Sequence, residues 1–426
     1  MRQAAWERFC PWRAQAQARN PEPMSGGHRL LTLGGQPWPA ELETLHLLLA
    51  GTTGTGKSTL VEELLDGIGE RGERTVVCDP NGGFVRRFAK EGDRLLNPFD
   101  ARTEGWTIFN ELRADFDADR LAASIVPAGH GESAPWHHYA QVLLAEVLRA
   151  LVRSGETTTE RLLHWCTSAP ACELGAMLAG TPAAGLFDEG ADKALASTRF
   201  VLTAHLSPHR FIKPGNFSLR TWLEQESGSL FMTWRADMQA ALAPLLATWA
   251  DITTNAVLTL PPDPARRVWL VLDELAALGK LNGLEMGLTL GRKHGLCVVA
   301  GLQSTAQLDR LYGRESAVVL RACFRNLAVL AIAKSDPATA DELSRALGER
   351  EVLRRELSRS NGASGLGESQ SLRHAQERLV MASEIACLPN LTGYLALAGD
   401  EPVRRLRLTP QVREDVTEAF VAEATC

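Results

Sequence analysis

The residues whose types and spacing most clearly predict chemistry form the stretch 51–58, GTTGTGKS. It matches G-x-x-x-x-G-K-[ST], in which glycines let backbone N–H groups surround a polyphosphate. The apolar run 45–50 precedes it, and apolar residues at helical spacing over 60–68 follow it. This order of strand, turn and helix favours a phosphate loop over a glycine- and threonine-rich loop with an incidental lysine. The predicted nucleotide-binding residues are Gly51, Thr52, Thr53, Gly54, Thr55, Gly56, Lys57, Ser58 and Thr59.

A second pattern is the apolar run 267–272, which delivers Asp273 and Glu274 at its end. This is the Walker B arrangement. We predict that Lys57 reaches the β- and γ-phosphates of ATP, and that Ser58 and Asp273 bind Mg²⁺. Glu274 is the predicted base that polarises the attacking water. An apolar strand that ends in two acids is also a common accident, and the phosphate loop in the same chain favours the catalytic interpretation.

Three further polar residues are candidates: Arg292 lies on the predicted helix 283–294 that follows Glu274, and the other two end predicted strands. Arg292 is either a solvated helix arginine or an arginine finger that reaches a neighbouring subunit's nucleotide. Gln303 ends an apolar run, where its amide is placed to sense a γ-phosphate. Asp79 ends another apolar run, 75–78, where a carboxylate either contacts ligand or caps a turn. Spacing alone does not decide the role of any of these three residues.

Composition restricts the class of protein. A chain of 426 residues is longer than one ordinary hydrophobic core supports, so a large domain with an insertion, or two domains, is expected. The content of 45% hydrophobic and 23% charged residues is typical of a globular protein. A net charge of −6 argues against nucleic-acid binding over the whole outer surface, although a basic channel remains open. The eight cysteines form no C-x-x-C pair and favour reduced thiols. No apolar run is long enough to cross a bilayer, and segment 1–26 contains no predicted transmembrane helix.

The order of predicted elements indicates an α/β fold with a doubly wound, mainly parallel sheet. Strand patterns occupy 27–102 and 216–410, whereas 103–215 shows only helical periodicity and is predicted to be an inserted all-α domain. Segment 358–371 is rich in serine and glycine and is predicted to be a flexible loop. Segment 411–426 is predicted to be an acidic, frayed tail.

Three stretches carry a family resemblance: 272–281 (LDELAALGKL), 291–308 (GRKHGLCVVAGLQSTAQL) and 97–106 (NPFDARTEGW). They resemble the conjugative type IV coupling proteins of the TrwB/TraD group, which are similar to the FtsK/HerA motor ATPases. The resemblance runs from about 30 to 408 and implies a RecA-like P-loop NTPase domain that carries an all-α domain. It implies roles for Lys57, Ser58, Asp273 and Glu274 as above, with Arg292 the trans arginine finger and Gln303 the sensor. Trp136 then lies near a channel mouth, unless it is a core aromatic at a helix start.

The resemblance implies an ATPase that assembles as a homo-hexamer, pumps single-stranded DNA and also meets double-stranded DNA. Its implied partners are a relaxase and the proteins of a type IV secretion channel, and its implied location is the cytoplasmic face of a bacterial inner membrane. Family members usually begin with a transmembrane hairpin, and this chain shows no such pattern. Two alternatives remain: a docking adaptor that uses nucleotide only as a structural ligand, and a DNA motor of another system. The intact Glu274 and Arg292 favour a motor.

Overall fold

The structure, a computed structural model, describes residues 30–129, 131–362 and 365–423. The predicted N-terminal segment 1–26 therefore lies outside the described residues. The strands are β1 (Leu31–Leu33), β2 (Gln36–Trp38), β3 (Leu47–Ala50), β4 (Arg74–Pro80), β5 (Arg94–Leu96), β6 (Ser229–Trp234), β7 (Val268–Leu272), β8 (Leu296–Leu302), β9 (Asn326–Val329), β10 (Glu349–Gly362), β11 (Gly365–Arg378), β12 (Thr392–Ala396) and β13 (Arg404–Arg407).

The helices lie between these strands and at both faces of the sheet that most of them form. They are α1 (Ala40–Glu43), α2 (Lys57–Arg71), α3 (Val85–Phe88), α4 (Asp117–Ile125), α5 (Ala134–Ser154), α6 (Thr159–Leu163), α7 (Ala171–Met177), α8 (Asp192–Leu206), α9 (Leu219–Gln225), α10 (Gln239–Thr259), α11 (Leu284–Leu290), α12 (Thr305–Tyr312), α13 (Arg314–Cys323), α14 (Pro337–Ala346) and α15 (Ala382–Ala386).

The central sheet has nine strands in the order β13-β12-β9-β3-β8-β7-β4-β6-β5. The strands from β9 to β5 are parallel, whereas β12 and β13 add an antiparallel edge. Alternate residues of β3 enter different cores, since Leu48 belongs to one buried cluster and Leu47 and Leu49 to another. Burial on both faces explains why the parallel strands are continuous apolar runs. The predicted doubly wound, mainly parallel sheet is confirmed.

Helices α4 to α8 lie between β5 and β6, where the sequence analysis expected helices only. The chain enters and leaves this region at one place. There Trp106 N donates to Lys213 O (2.9 Å) and Phe217 N donates to Gly105 O (3.0 Å). The limits 103–215 for an all-α domain, and 27–102 with 216–410 for a nucleotide domain, remain the division of the chain that we propose.

Segment 358–371 differs from its prediction. Instead of a flexible loop, its described residues belong to the hairpin of β10 and β11, in which Ser358 is paired with Ser369 and Gly362 with Gly365. Residues 363 and 364 lie outside the described residues. Cross-strand backbone hydrogen bonds satisfy main-chain groups whatever the side chains are, so a serine- and glycine-rich composition does not prevent a two-stranded ribbon.

The described part of the predicted frayed tail, 411–423, is also ordered against the rest of the chain. Asp415 pairs with Arg86, and Glu423 pairs with Lys213 at 2.5 Å. The backbone of Ala101 donates to Val421 O at 2.8 Å. The acidic residues that suggested a solvated tail instead find basic partners on the body of the protein. Among all described residues, no helix has both the length and the apolar character required to span a membrane.

Candidate nucleotide-binding site

The predicted phosphate loop connects the end of β3 to the start of α2. Helix α2 begins at Lys57, directly after Gly56, whose φ of 115° is open to glycine but strained for other residues. A Cβ on Gly56 would also lie 2.9 Å from Leu408 Cδ1. Thr55 Oγ1 donates to Thr52 O at 2.7 Å, and Thr52 Oγ1 donates to Ala331 O at 3.1 Å. The loop is therefore held at both ends, with Thr53 and Gly54 exposed between them.

Lys57 points back over this loop. Its Nζ donates to Gly51 O at 2.7 Å and more weakly to Thr52 O at 3.4 Å. Burial lowers the pKa of Lys57, and the charges of Glu274 and Asp273 oppose that shift. The ammonium group thus lies against the carbonyl oxygens at the start of the loop, within the segment predicted to bind phosphate.

Ser58 and Asp273 meet across the sheet edge. Ser58 Oγ donates to Asp273 Oδ1 at 3.5 Å. Burial raises the pKa of Asp273, whereas the charge of Lys57 and the hydrogen bond from Ser58 lower it. An exposed hydroxyl and a carboxylate next to each other are the hard oxygen donors that Mg²⁺ prefers, so these two residues fit the predicted metal site.

Glu274 follows Asp273 and contacts the neighbouring strand's end. Gln303 Nε2 donates to Glu274 Oε2 at 2.6 Å, and Gln303 Oε1 accepts from Thr53 Oγ1 at 3.4 Å. The other carboxylate oxygen, Oε1, is buried and has no hydrogen-bond partner among the described residues. Burial raises the pKa of Glu274, with the hydrogen bond from Gln303 and the charge of Lys57 acting in the opposite direction. The structure therefore brings the loop, the two acids and Gln303 together.

Among the described residues, the side chains of Thr59 and Arg292 form no hydrogen bond or ion pair with this group. Thr59 lines a cavity of about 290 Å³ together with Arg407 and Gln411. Arg292 lies in a 3₁₀ turn, Gly291–His294, directly after α11, and its side chain is exposed. The carbonyl oxygen of Arg292 accepts a hydrogen bond from Gly295 N at 3.2 Å, whereas its guanidinium has no hydrogen bond or ion pair within the part of the chain that the structure describes. Buried His294 fixes the turn, since its Nδ1 lies 2.6 Å from Leu260 O.

Asp79 and Trp136 lie outside this group of residues. Asp79 is buried, and its Oδ2 accepts hydrogen bonds from Phe84 N (2.9 Å) and Val85 N (2.7 Å). This geometry favours the turn-capping alternative over a ligand contact. Trp136 is half-buried near the start of α5, and its ring packs edge-on against Tyr139 with centroids 6.1 Å apart. It is thus not a fully buried core aromatic.

Gly301 is a site residue that the sequence analysis missed. A Cβ at this position in β8 would lie 1.8 Å from Asp273 O, so only glycine permits β8 to approach the end of β7 this closely. A glycine inside an otherwise apolar strand, CVVAGL, is the signal that marks a close backbone approach.

Comparisons with known proteins identify the family and the fold of the chain. The family described as the type IV secretion-system coupling protein DNA-binding domain matches residues 30–409. Coupling protein TraD of Escherichia coli (strain K12) is 31% identical over 410 residues, which cover 92% of this chain and 56% of TraD. The chain thus spans little more than half the length of that curated relative.

Solved structures of the coupling protein TrwB share the whole fold. The unbound TrwBdeltaN70 structure is 44% identical with a TM-score of 0.87, covering 93% of this chain and 92% of that one. TrwB in complex with ADP and Mg²⁺ is 44% identical with a TM-score of 0.85, covering 92% and 91%. These likenesses confirm the predicted RecA-like P-loop NTPase fold. Because the family match extends over most of the sequence, the chain belongs to the type IV secretion-system coupling proteins.

Proposed function

We propose that this chain is an ATP-driven DNA translocase that acts as a coupling protein. It links a relaxase–DNA complex to a type IV secretion channel and pumps single-stranded DNA during conjugation. The observation that carries the proposal is Glu274, which Gln303 holds by one oxygen while the other is buried without a partner. A protein that only binds nucleotide has no need of such a carboxylate beside its phosphate loop.

The chemistry assigned to the site is ATP hydrolysis with Mg²⁺. Residues 51–59 bind the phosphates, with Lys57 neutralising their charge, and Ser58 and Asp273 hold the metal. Mg²⁺, when bound, adds positive charge beside the phosphate oxygens. Glu274 accepts a proton from the attacking water through Oε1, the oxygen that lacks a partner. Support comes from TrwB, which has been solved with ADP and Mg²⁺ and with a non-hydrolysable ATP analogue.

The proposed assembly is a homo-hexamer on DNA or with a membrane partner. The exposed guanidinium of Arg292, which has no partner among the described residues, supports a role in trans, toward a neighbour's γ-phosphate. The family description supports DNA and type IV secretion proteins as partners, and a relaxase is the further partner that we propose. A further relative is the type IV secretion system-coupling protein VirD4 of Bartonella henselae. We place the chain at the cytoplasmic face of the bacterial inner membrane.

DNA-stimulated hydrolysis tests the proposal. We expect single-stranded DNA to raise the ATPase rate of the wild-type chain, and the stimulation to fall as salt rises because phosphate contacts release counterions. Glu274→Gln lacks the proposed base, so any ATPase rate that remains in this variant is contaminating activity. Glu91→Gln, which removes an exposed carboxylate, is the matched control. ATP binding without any DNA-dependent turnover in the wild type would favour the docking adaptor instead.

A further inference from the structure

A buried carboxylate outside the nucleotide site connects three parts of the chain. Asp251 lies in α10 and is 1% exposed. Burial raises its pKa to about 6, and hydrogen bonds from Ser124, Gly283 and Asn255 act against that shift. A buried carboxylate stabilises a fold poorly compared with an apolar side chain of similar size, so its presence calls for a physical account.

The two oxygens of Asp251 serve different elements. Oδ1 accepts a hydrogen bond from the backbone N–H of Gly283, directly before α11. Oδ2 accepts one from Ser124 Oγ, on α4 of the helical region, and one from Asn255 Nδ2 at 3.1 Å. One carboxylate therefore joins α4 to the segment that follows the Walker B acids.

Neighbouring contacts make the same connection. Asn282 Nδ2 donates to Ala123 O, and Lys280 Nζ lies 3.3 Å from Ala128 O. Both acceptors belong to the end of α4 or the loop directly after it. Three points within four residues, at positions 280, 282 and 283, thus hold this segment to the helical region or to the carboxylate of Asp251.

The fastened segment has a catalytic candidate at each end. It begins after Glu274 with a 3₁₀ turn, Leu275–Leu278, and continues through α11 to the turn that carries Arg292. Buried Leu275, Leu278 and Leu281 belong to the same core cluster as α10. His294 fastens the far end to Leu260 O at 2.6 Å. A displacement of α4 relative to α10 therefore acts on the segment that positions both residues.

We propose that Asp251 and Ser124 are positioning residues that couple the helical region to hydrolysis, so that DNA-driven movement of that region changes the placement of Glu274 and Arg292. This inference rests on the proposed function. Neither residue belongs to the proposed nucleotide-binding site. Charge-assisted hydrogen bonds from two separate elements give the connection more strength than neutral contacts would, and they transmit a displacement in either direction.

Ser124→Ala tests the coupling because it removes only the α4 side of the connection and leaves the bond from Gly283 N to Asp251 Oδ1. The matched control is Thr253→Val, which removes a buried hydroxyl of α10 whose one hydrogen bond among the described residues is within its own helix, to Trp249 O. For each variant, basal kcat, KM for ATP and the Kd for a mixed-sequence single-stranded oligonucleotide are measured, followed by the DNA-stimulated kcat.

We expect Ser124→Ala to keep basal kcat, KM and the Kd for DNA while DNA stimulation falls by about tenfold, the scale of one lost hydrogen bond to a charged group. Asn282→Ala, which removes the bond to Ala123 O, should change the same quantity, and Thr253→Val should leave it unchanged. Full stimulation in both test variants would overturn the coupling while leaving the proposed function intact. Equal loss of basal and stimulated rates would reduce the cluster to a structural role. A wild type that DNA does not stimulate would overturn both proposals.

Discussion

Glu274 shows at the scale of one residue how the site prepares for hydrolysis. Its Oε2 accepts a hydrogen bond from Gln303 Nε2 at 2.6 Å, whereas its Oε1 is buried without a partner among the described residues. A buried unpaired oxygen is costly, and such groups in native proteins point to a functional demand. A water held at Oε1 would satisfy this demand in the position of the nucleophile.

Replacement of Lys57 and replacement of Glu274 are expected to impair different steps, ATP binding in the first case and hydrolysis in the second. Lys57→Ala should weaken ATP binding by roughly 10- to 100-fold, because it removes charge-assisted hydrogen bonds to the phosphates. Glu274→Gln keeps the shape of the side chain and should bind ATP normally without turnover. Equilibrium binding of a fluorescent ATP analogue and single-turnover hydrolysis measure the two effects separately. An equal loss of nucleotide affinity in both variants contradicts these roles.

The residues of the site differ in how far sequence alone predicts their place. Residues 51–58 are consecutive, so local pattern suffices to predict a turn between a strand and a helix, and the structure has that turn. The contact between Gln303 and Glu274 is different, because it depends on β7 and β8 being neighbours in the sheet. Asp251 carries no motif at all, since its partners Ser124 and Gly283 come from distant segments.

At the scale of elements, β8 must pass very close to β7 for the site to form. Gly301→Ala should lower the free energy of unfolding by about 1–3 kcal/mol, because its Cβ would meet the backbone oxygen of Asp273 and the strands must separate. Hydrolysis should also fall, since Asp273 moves with that backbone. Urea denaturation and ATPase assays measure both effects. Gly185→Ala is the control, because the nearest atom to its Cβ is 3.8 Å away; equal stability of the two variants would contradict the packing argument.

The ordered segment 411–423 makes a second prediction about elements. Arg413 pairs with Asp66 on α2, and its guanidinium lies 4.8 Å from the ring centroid of Phe88. Arg413→Ala should lower the free energy of unfolding by about 1 kcal/mol, the sum of a partly exposed ion pair and a cation–π contact. Val412→Ala is the matched control, because that side chain is fully exposed. Identical unfolding curves for the two variants would support a frayed tail after all.

Elements with a buried face were predictable and elements without one were not. The parallel strands and α2 show apolar runs or helical periodicity because each must bury a face in the core. The hairpin of β10 and β11 forms by pairing of its own backbone, separate from the nine-stranded sheet, so no burial pattern signals it in the sequence. Segment 411–423 is held by ion pairs of charged side chains, and such side chains are also stable when fully hydrated. Its composition therefore predicted a solvated tail.

At the scale of the whole molecule, the proposed mechanism depends on the contacts of the nucleotide site and on those between the helical region and the rest of the chain. The nucleotide site lies at the carboxyl edge of β3, β7 and β8, while α4 and its neighbours form a region that meets this part of the chain again through Asp251. A net charge of −6 leaves little basic surface for DNA outside a closed assembly. Both features suit a machine in which subunits surround the DNA and hydrolysis depends on how they are arranged.

Arg292 provides the sharpest test of that arrangement, because its proposed target belongs to another subunit. Such a residue stabilises charge that develops in the transition state and contributes roughly 10³ to 10⁵ in rate when supplied in trans. We expect Arg292→Ala to fold and bind ATP but to hydrolyse it at least about a thousandfold more slowly, even with DNA present. Lys293→Ala, which removes the adjacent exposed charge in the same turn, is the matched control and should remain active.

Mixing variants then separates a role in trans from a role within one chain. Subunits with Arg292→Ala keep an intact nucleotide site, and subunits with Lys57→Ala keep an intact finger. Where the two stand side by side in the right order, the first subunit's site receives the second subunit's Arg292, so the mixture should recover part of the activity that each variant lacks alone. ATPase assays across mixing ratios, with mass photometry to establish that mixed oligomers form, measure this recovery. If mixed oligomers form and stay inactive, or if Arg292→Ala alone retains DNA-stimulated turnover, Arg292 is a solvated surface arginine and the trans role is wrong.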